Sequence, residues 1–211
     1  MIDSSGSTLN TDPNEKYRVQ TIQTFIQNYG NLTNLNYNFA YFSGSASAWD
    51  AKTSAFVTLP SSPQIPFGTS SDLSKALTAY SAIPIGQKAT TNYLSAFTSL
   101  QASITKVAVK NDGWNYVVVF MSDGQPKDLG STPNVQLAAI KSNVDGLLST
   151  VQSYGSLLTV SAVYFGDEAD STSIANLQGM ASEGGGQFVD TNKTTNVVIS
   201  DIINVPVTTC H

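Results

Sequence analysis

Tyr116-Val117-Val118-Val119-Phe120-Met121 is an unbroken apolar run with three β-branched residues side by side. No polar residue alternates within it, so both faces of such a strand must be covered. The arrangement that covers both is a parallel sheet with helices above and below. Leu157 to Phe165 repeats the pattern, Tyr37 to Phe42 is an aromatic strand, and Gln187 to Asp190 is a short one. Ala48 to Leu59 reads as an edge strand after the Gly44-Ser45 turn.

Helical patterns lie between these strands. Asp12-Pro13 is a cap followed by proline, leading to Val19, Ile22, Phe25, Ile26 and Tyr29 on one face, with Gly30 as the stop. Further helices are predicted near Asp72–Ile83 and Asn92–Val107, then after the Thr132-Pro133 cap, after Asp170, and over Val197–Ile203 before Pro206. Strands alternating with helices predict an α/β fold: a doubly wound, mostly parallel central sheet with helices on both faces. There is no internal repeat, low-complexity tract or domain boundary, so residues 1–211 are expected to form a single domain.

In open sheets of this kind ligands collect at the carboxyl ends of the strands, where strand order reverses. Two aspartates are expected there. Asp123 follows the buried run, in Met121-Ser122-Asp123-Gly124, and Asp3 opens Asp3-Ser4-Ser5-Gly6-Ser7. If Asp3 leaves a strand in extended conformation, Asp3, Ser5 and Ser7 share a face, and Gly6 permits a sharp turn. One carboxylate and two hydroxyls make a hard, oxygen-only cradle suited to Mg²⁺, Mn²⁺ or Ca²⁺ rather than Zn²⁺ or Cu²⁺. A plain polar loop accounts for these five residues equally well.

A further hydroxyl sits at the loop-to-helix junction Gly68-Thr69-Ser70-Ser71-Asp72-Leu73, where Ser71 also reads as an N-cap. Asp12 tempts as another ligand, but capping explains it better. Two carboxylates brought together without a Lys or Arg between them either hold a raised pKa or need a cation.

Together these segments resemble the von Willebrand factor type A domain and its metal-ion-dependent adhesion site. That family joins D-x-S-x-S after the first strand, a threonine before a helix, and an aspartate after the fourth strand. Asp3, Ser5 and Ser7 match the first element and Asp123 the third. The middle pattern, Thr-x-Leu/Ile-x-x-Ala/Gly-Leu/Ile, laid on Leu73, Ala76 and Leu77, puts Ser71 at the threonine position, with Thr69 as the alternative. The likeness continues through Val160 to Gly166, Leu177 to Ala181 and Gly186 to Val189, nearly the whole chain.

The resemblance implies a Rossmann-like sheet with one antiparallel edge strand, and a divalent cation whose open position accepts a partner protein's Asp or Glu. It also implies that Ser71 and Asp123 exchange roles as the ligand arrives, and that the last helix shifts with the site. The role it implies is adhesion at an extracellular or cell surface. The alternatives are an assembly or scaffold subunit of a multiprotein complex and a Mg-dependent hydrolase. The family's first strand has a longer apolar run before its aspartate than Met1 and Ile2 supply, so the chain is expected to be a piece of a longer one.

Several classes are disfavoured. The net charge is −5 with ten Lys plus Arg, so no basic stripe serves nucleic acid. No apolar run reaches the roughly 18–20 residues of a membrane span. Charged residues make up 12% of the chain, about half the usual share; polarity comes instead from Ser, Thr, Asn and Gln, which leans towards an extracytoplasmic surface. Asn31-Leu32-Thr33 and Asn192-Lys193-Thr194 are sequons. The single Cys210 has no internal partner. A Ser-His-Asp hydrolase lacks its histidine, because the single one is His211, and the nucleophile elbow and nucleotide loops are absent. The chain therefore reads as a binding module and not an enzyme.

Overall fold

A computed structural model describes residues 1–32, 34–59, 67–84, 90–108, 113–193 and 202. The strands are β1 (Ile2–Asp3), β2 (Ala40–Phe42), β3 (Ala46–Asp50), β4 (Ala55–Leu59), β5 (Asn115–Ser122), β6 (Leu157–Tyr164) and β7 (Gly185–Asp190). The helices are α1 (Thr8–Thr11), α2 (Thr21–Tyr29), α3 (Ser70–Ser81), α4 (Tyr93–Ala108), α5 (Pro133–Gln152) and α6 (Ser171–Glu183). A π-helical turn, Lys16–Gln20, leads into α2.

The strands form one sheet in the order β4-β3-β2-β1-β5-β6-β7. β1 is parallel to β2 and β5, and β6 and β7 continue the parallel set. A single strand, β3, runs against its neighbours, within the β3–β4 hairpin at one edge. The expected Ala48–Leu59 strand is thus two strands. Asp50 makes the turn by accepting from the Lys52 amide (2.9 Å) and the Thr53 hydroxyl (3.0 Å).

Helices cover both faces, as the unbroken apolar runs of β5 and β6 require. On one face Phe97 and Ile104 of α4, Ile140, Val144 and Leu147 of α5, and Leu177 and Met180 of α6 pack on Phe42, Phe120, Val160 and Ala162. On the other, Ile22 and Phe25 of α2 and Leu73, Leu77 and Tyr80 of α3 pack with Ile2, Met121, Val163 and Ile202. The Thr132 and Asp170 caps form as expected, accepting from the Val135 (3.4 Å) and Ser173 (3.0 Å) amides. Among the described residues no helix is long and apolar enough to cross a membrane. Apart from Ile202, the expected helix Val197–Ile203 lies outside the described residues, as do Thr33, Thr194, Pro206, Cys210 and His211.

β1 is the pivot. The chain leaves it through α2 to β2 on one side, and later returns on its other side as β5. Its carboxyl end is therefore the switch point where a crevice opens. Asp3 stands there.

Candidate metal centre

Asp3 is the last residue of β1 and is wholly buried. Its Oδ1 accepts from the Ser5 amide (2.8 Å) and its Oδ2 from the Ser122 hydroxyl (2.6 Å), so the loop after β1 and the end of β5 are both tied to one carboxylate. The chain then turns. Thr8 donates its amide (3.1 Å) and its hydroxyl (2.8 Å) to the Ser5 carbonyl, and α1 begins. Ser7 reaches the site through this turn and not by extended alternation.

Asp123 follows β5 directly and is 4% exposed. Its Oδ1 accepts from Ser7 Oγ (3.0 Å) and its Oδ2 from Thr11 Oγ1 (2.5 Å). Gly166 lets the chain leaving β6 pass against it, since a Cβ there would lie 2.3 Å from the Asp123 carbonyl oxygen.

The hydroxyls form a polarised chain. Thr91 Oγ1 donates to Ser5 Oγ (3.1 Å), Ser5 and Ser7 are hydrogen-bonded (3.1 Å), and Ser7 donates to Asp123. Because Ser7 gives its proton to the carboxylate, it must accept from Ser5. Gly124 lies alongside, and a Cβ there would meet Ser7 Oγ and Thr91 Oγ1 at 3.7 Å each. Asp3, Ser5, Ser7 and Asp123 thus meet as the sequence predicted, and the fifth oxygen comes from Thr91.

Ser71 and Thr69 do not join them. The bridge between Tyr37 and Gly68 puts the start of α3 at the foot of the sheet, the amino-end side of β2. α3 climbs from there, and its far end brings the Tyr80 hydroxyl to Ser4 Oγ (2.5 Å) beside the site. Thr69 is the N-cap, in a capping box with Asp72, and Ser71 is exposed. Thr91 instead opens α4, which starts at the carboxyl end of the sheet. The Thr91 carbonyl is held by the Lys127 amide (2.9 Å), and Asn92 Oδ1 accepts from the Ser95 amide (2.8 Å). Asp128 receives the Tyr93 and Leu94 amides at 3.0 and 2.7 Å. A sequence signal for this existed. Thr91, Tyr93, Ala96 and Phe97 have the same spacing that was laid on Ser71, with a true threonine and aromatic residues at two apolar positions.

A cation of the protein's own is also close, which the sequence did not suggest. Arg18 is wholly buried. Its Nε donates to Asp12 Oδ2 (3.0 Å), its Nη2 to the Asp12 carbonyl (2.8 Å), and its Nη1 to Tyr80 Oη (3.2 Å) and the Asp3 carbonyl (3.5 Å). Asp12 also accepts from the Tyr17 and Arg18 amides at the π-helical turn, so it serves the helix start and the arginine and is not a ligand. Arg18 pairs with Asp12, and its charge also acts on Asp123, lowering it by less than burial raises it.

The electrostatics follow. Burial, and then the nearby Asp123 charge, push the Asp3 carboxyl up to about 6. Burial likewise raises Asp123, against the hydrogen bonds from Thr11 and Ser7. Two carboxylates and three hydroxyls converge at a switch point. Such a donor set fits a hard dication: it is all oxygen, it carries two formal charges, and each hydroxyl has a lone pair to turn inwards. Among the described residues no three His, Cys, Asp or Glu side chains group together as a metal site. Any cation here would rely on the hydroxyls.

No family model matches the chain, and no curated protein matches it.

Proposed function

We propose that this chain is a divalent-cation-dependent protein-binding module of the von Willebrand factor type A kind. Asp3, Ser5, Ser7, Thr91 and Asp123 would hold Mg²⁺, or Mn²⁺ or Ca²⁺ in its place, and a partner's Asp or Glu would complete it. The observation that carries the reading is the pair of buried carboxylates, Asp3 and Asp123, joined by a hydroxyl chain at the sheet's switch point. When bound, the cation supplies a charge that neutral hydroxyls leave only partly neutralised, and so attracts an outside carboxylate.

The chain's own residues set up that encounter. Ser122 and the Ser5 amide fix the Asp3 carboxylate, Thr11 holds Asp123, and the α4 cap places Thr91. Around the site the exposed side chains Leu9 of α1, Leu94 of α4 and Val135 of α5 offer apolar contact area beside a polar centre, a mixture common in protein interfaces. The hydroxyl- and amide-rich composition supports an extracellular or cell-surface setting. Binding, not catalysis, is the role.

The test is a binding screen against surface and matrix proteins with Mg²⁺ and with chelator, alongside Asp123→Ala, Thr91→Ala and Ser71→Ala. Mg²⁺-dependent capture lost in the first two variants and kept in the third is expected. Capture that ignores chelator and all three substitutions would retire the reading.

A further inference from the structure

The connection from β5 to α5 serves two parts of the candidate centre. It begins with Asp123, and its later residues grip the start of α4, where Thr91 stands. Tyr93 Oη donates to the Gly124 carbonyl (3.0 Å), and the Lys127 amide donates to the Thr91 carbonyl (2.9 Å). Asp128 then accepts the first two amides of α4, Tyr93 at Oδ1 (3.0 Å) and Leu94 at Oδ2 (2.7 Å). Such amides have no partner within their own helix. Asn92 already caps α4 through the Ser95 amide (2.8 Å). A second grip from 35 positions along the chain exceeds what starting the helix requires.

The connection is itself anchored. Gln136 of α5 is buried, and its Nε2 donates to the Pro126 and Gly130 carbonyls, both at 3.1 Å. Its Oε1 accepts from Asn176 Nδ2 of α6 (3.1 Å). Gln125 Nε2 donates to Asp170 Oδ1 (3.1 Å), the cap of α6. Across the crevice the Asn92 amide donates to the Ser43 carbonyl (3.1 Å), at the end of β2. Thr91 is therefore held between two backed segments. Asp128 lies at the surface, and Thr91, two residues before Tyr93, is buried against Ser5.

We infer that Asp128 is a positioning residue for the proposed cation centre: by fixing the first turn of α4 to the connection that carries Asp123, it keeps the Thr91 hydroxyl in register with Asp123. The inference rests on the cation reading above. Both Asp128 oxygens are taken by α4 amides, so the residue acts through Thr91 and is not itself a ligand. Replacing an outer partner of this kind typically changes metal affinity about 10–100-fold.

The test compares wild type, Asp128→Ala, Asp128→Asn, Thr91→Ala and the double variant Asp128→Ala with Thr91→Ala. In chelator, hydrogen exchange at the Tyr93 and Leu94 amides should quicken in Asp128→Ala while β5 keeps its protection, with Tm lowered by only roughly 2–4 °C. Electron paramagnetic resonance should show Mn²⁺ bound roughly tenfold more weakly by Asp128→Ala. That loss should persist in about 0.5 M salt, which screens a distant charge. Asp128→Asn removes the charge but keeps an acceptor, so it should restore about half of the loss on a logarithmic scale. In the double variant the Asp128 change should add less than about twofold to Thr91→Ala. Additive losses, or Asp128→Asn as weak as Asp128→Ala, would overturn the inference. So would wild-type affinity in Asp128→Ala, or unchanged exchange at both amides. Each of these leaves the cation reading standing, whereas no Mn²⁺ bound by wild type would overturn that reading and this inference with it.

Discussion

The Asp3 carboxyl should destabilise the metal-free fold at neutral pH, and removing its charge should be a gain. In the fold this group holds its proton until about pH 6, through burial and then Asp123. In an unfolded chain it releases it near pH 4 or so. Below that both states are protonated and nothing is lost. As pH rises from about 4 to 6 the unfolded chain ionises first, so stability falls, and above 6 the loss is complete at roughly 3 kcal/mol.

Asp3→Asn does not titrate. It keeps an oxygen for the Ser5 amide and gives the Ser122 hydroxyl a donor where there was an acceptor, a rearrangement costing about 1 kcal/mol. In chelator at pH 7 the variant should therefore be more stable than wild type by about 2 kcal/mol, or roughly 4–8 °C in Tm. The advantage should vanish near pH 4. Thermal melts by circular dichroism from pH 4 to 8 measure this directly. A variant less stable than wild type at pH 7, or a difference that is the same at pH 4 and 7, would refute the charge argument.

Other outcomes follow from the same geometry. Apparent Mg²⁺ affinity, followed by calorimetry, should fall as pH drops through 6, because protons compete with the cation for a carboxylate that binds them unusually well. Arg18→Met alone should cost about 3–5 kcal/mol in urea melts by leaving Asp12 buried and unpaired, and Arg18→Met with Asp12→Leu should recover much of it. Gly166→Ala should destabilise by about 1–3 kcal/mol, since its Cβ would press on the Asp123 carbonyl 2.3 Å away. It should also weaken Mn²⁺ binding, while Gly146→Ala, with open space around it, should do neither.

Much of this was legible in residue order. The β-branched run of β5 demanded cover on both faces and so a parallel sheet, and it carried Asp123 to the carboxyl end. Asp3, Ser5 and Ser7 followed because β1 lies beside β5. What failed was the third hydroxyl. Both α3 and α4 open on hydroxyl residues followed by an apolar face, and periodicity does not say at which end of the sheet a helix begins. That depends on whether the preceding connection crosses the sheet. Here the chain goes from Leu59, level with Phe42 at the carboxyl end, to Gly68 at the foot, which turns α3 over and leaves Thr91 in the crevice. Arg18 was missed for a related reason. An arginine in a polar stretch is ordinarily solvated, and only the fold of the Asp12 loop and Tyr80 arriving from α3 enclose it.

At the proposed centre five oxygens would hold one dication with a position open to an outside carboxylate. Electron paramagnetic resonance of bound Mn²⁺ tests this most directly, in wild type, Thr91→Ala and Ser71→Ala. One tight site in wild type and in Ser71→Ala, weakened at least tenfold in Thr91→Ala and losing exchangeable water when an Asp-containing peptide is added, is the predicted result. No bound Mn²⁺ in wild type, or a site unmoved by Thr91→Ala, would contradict it.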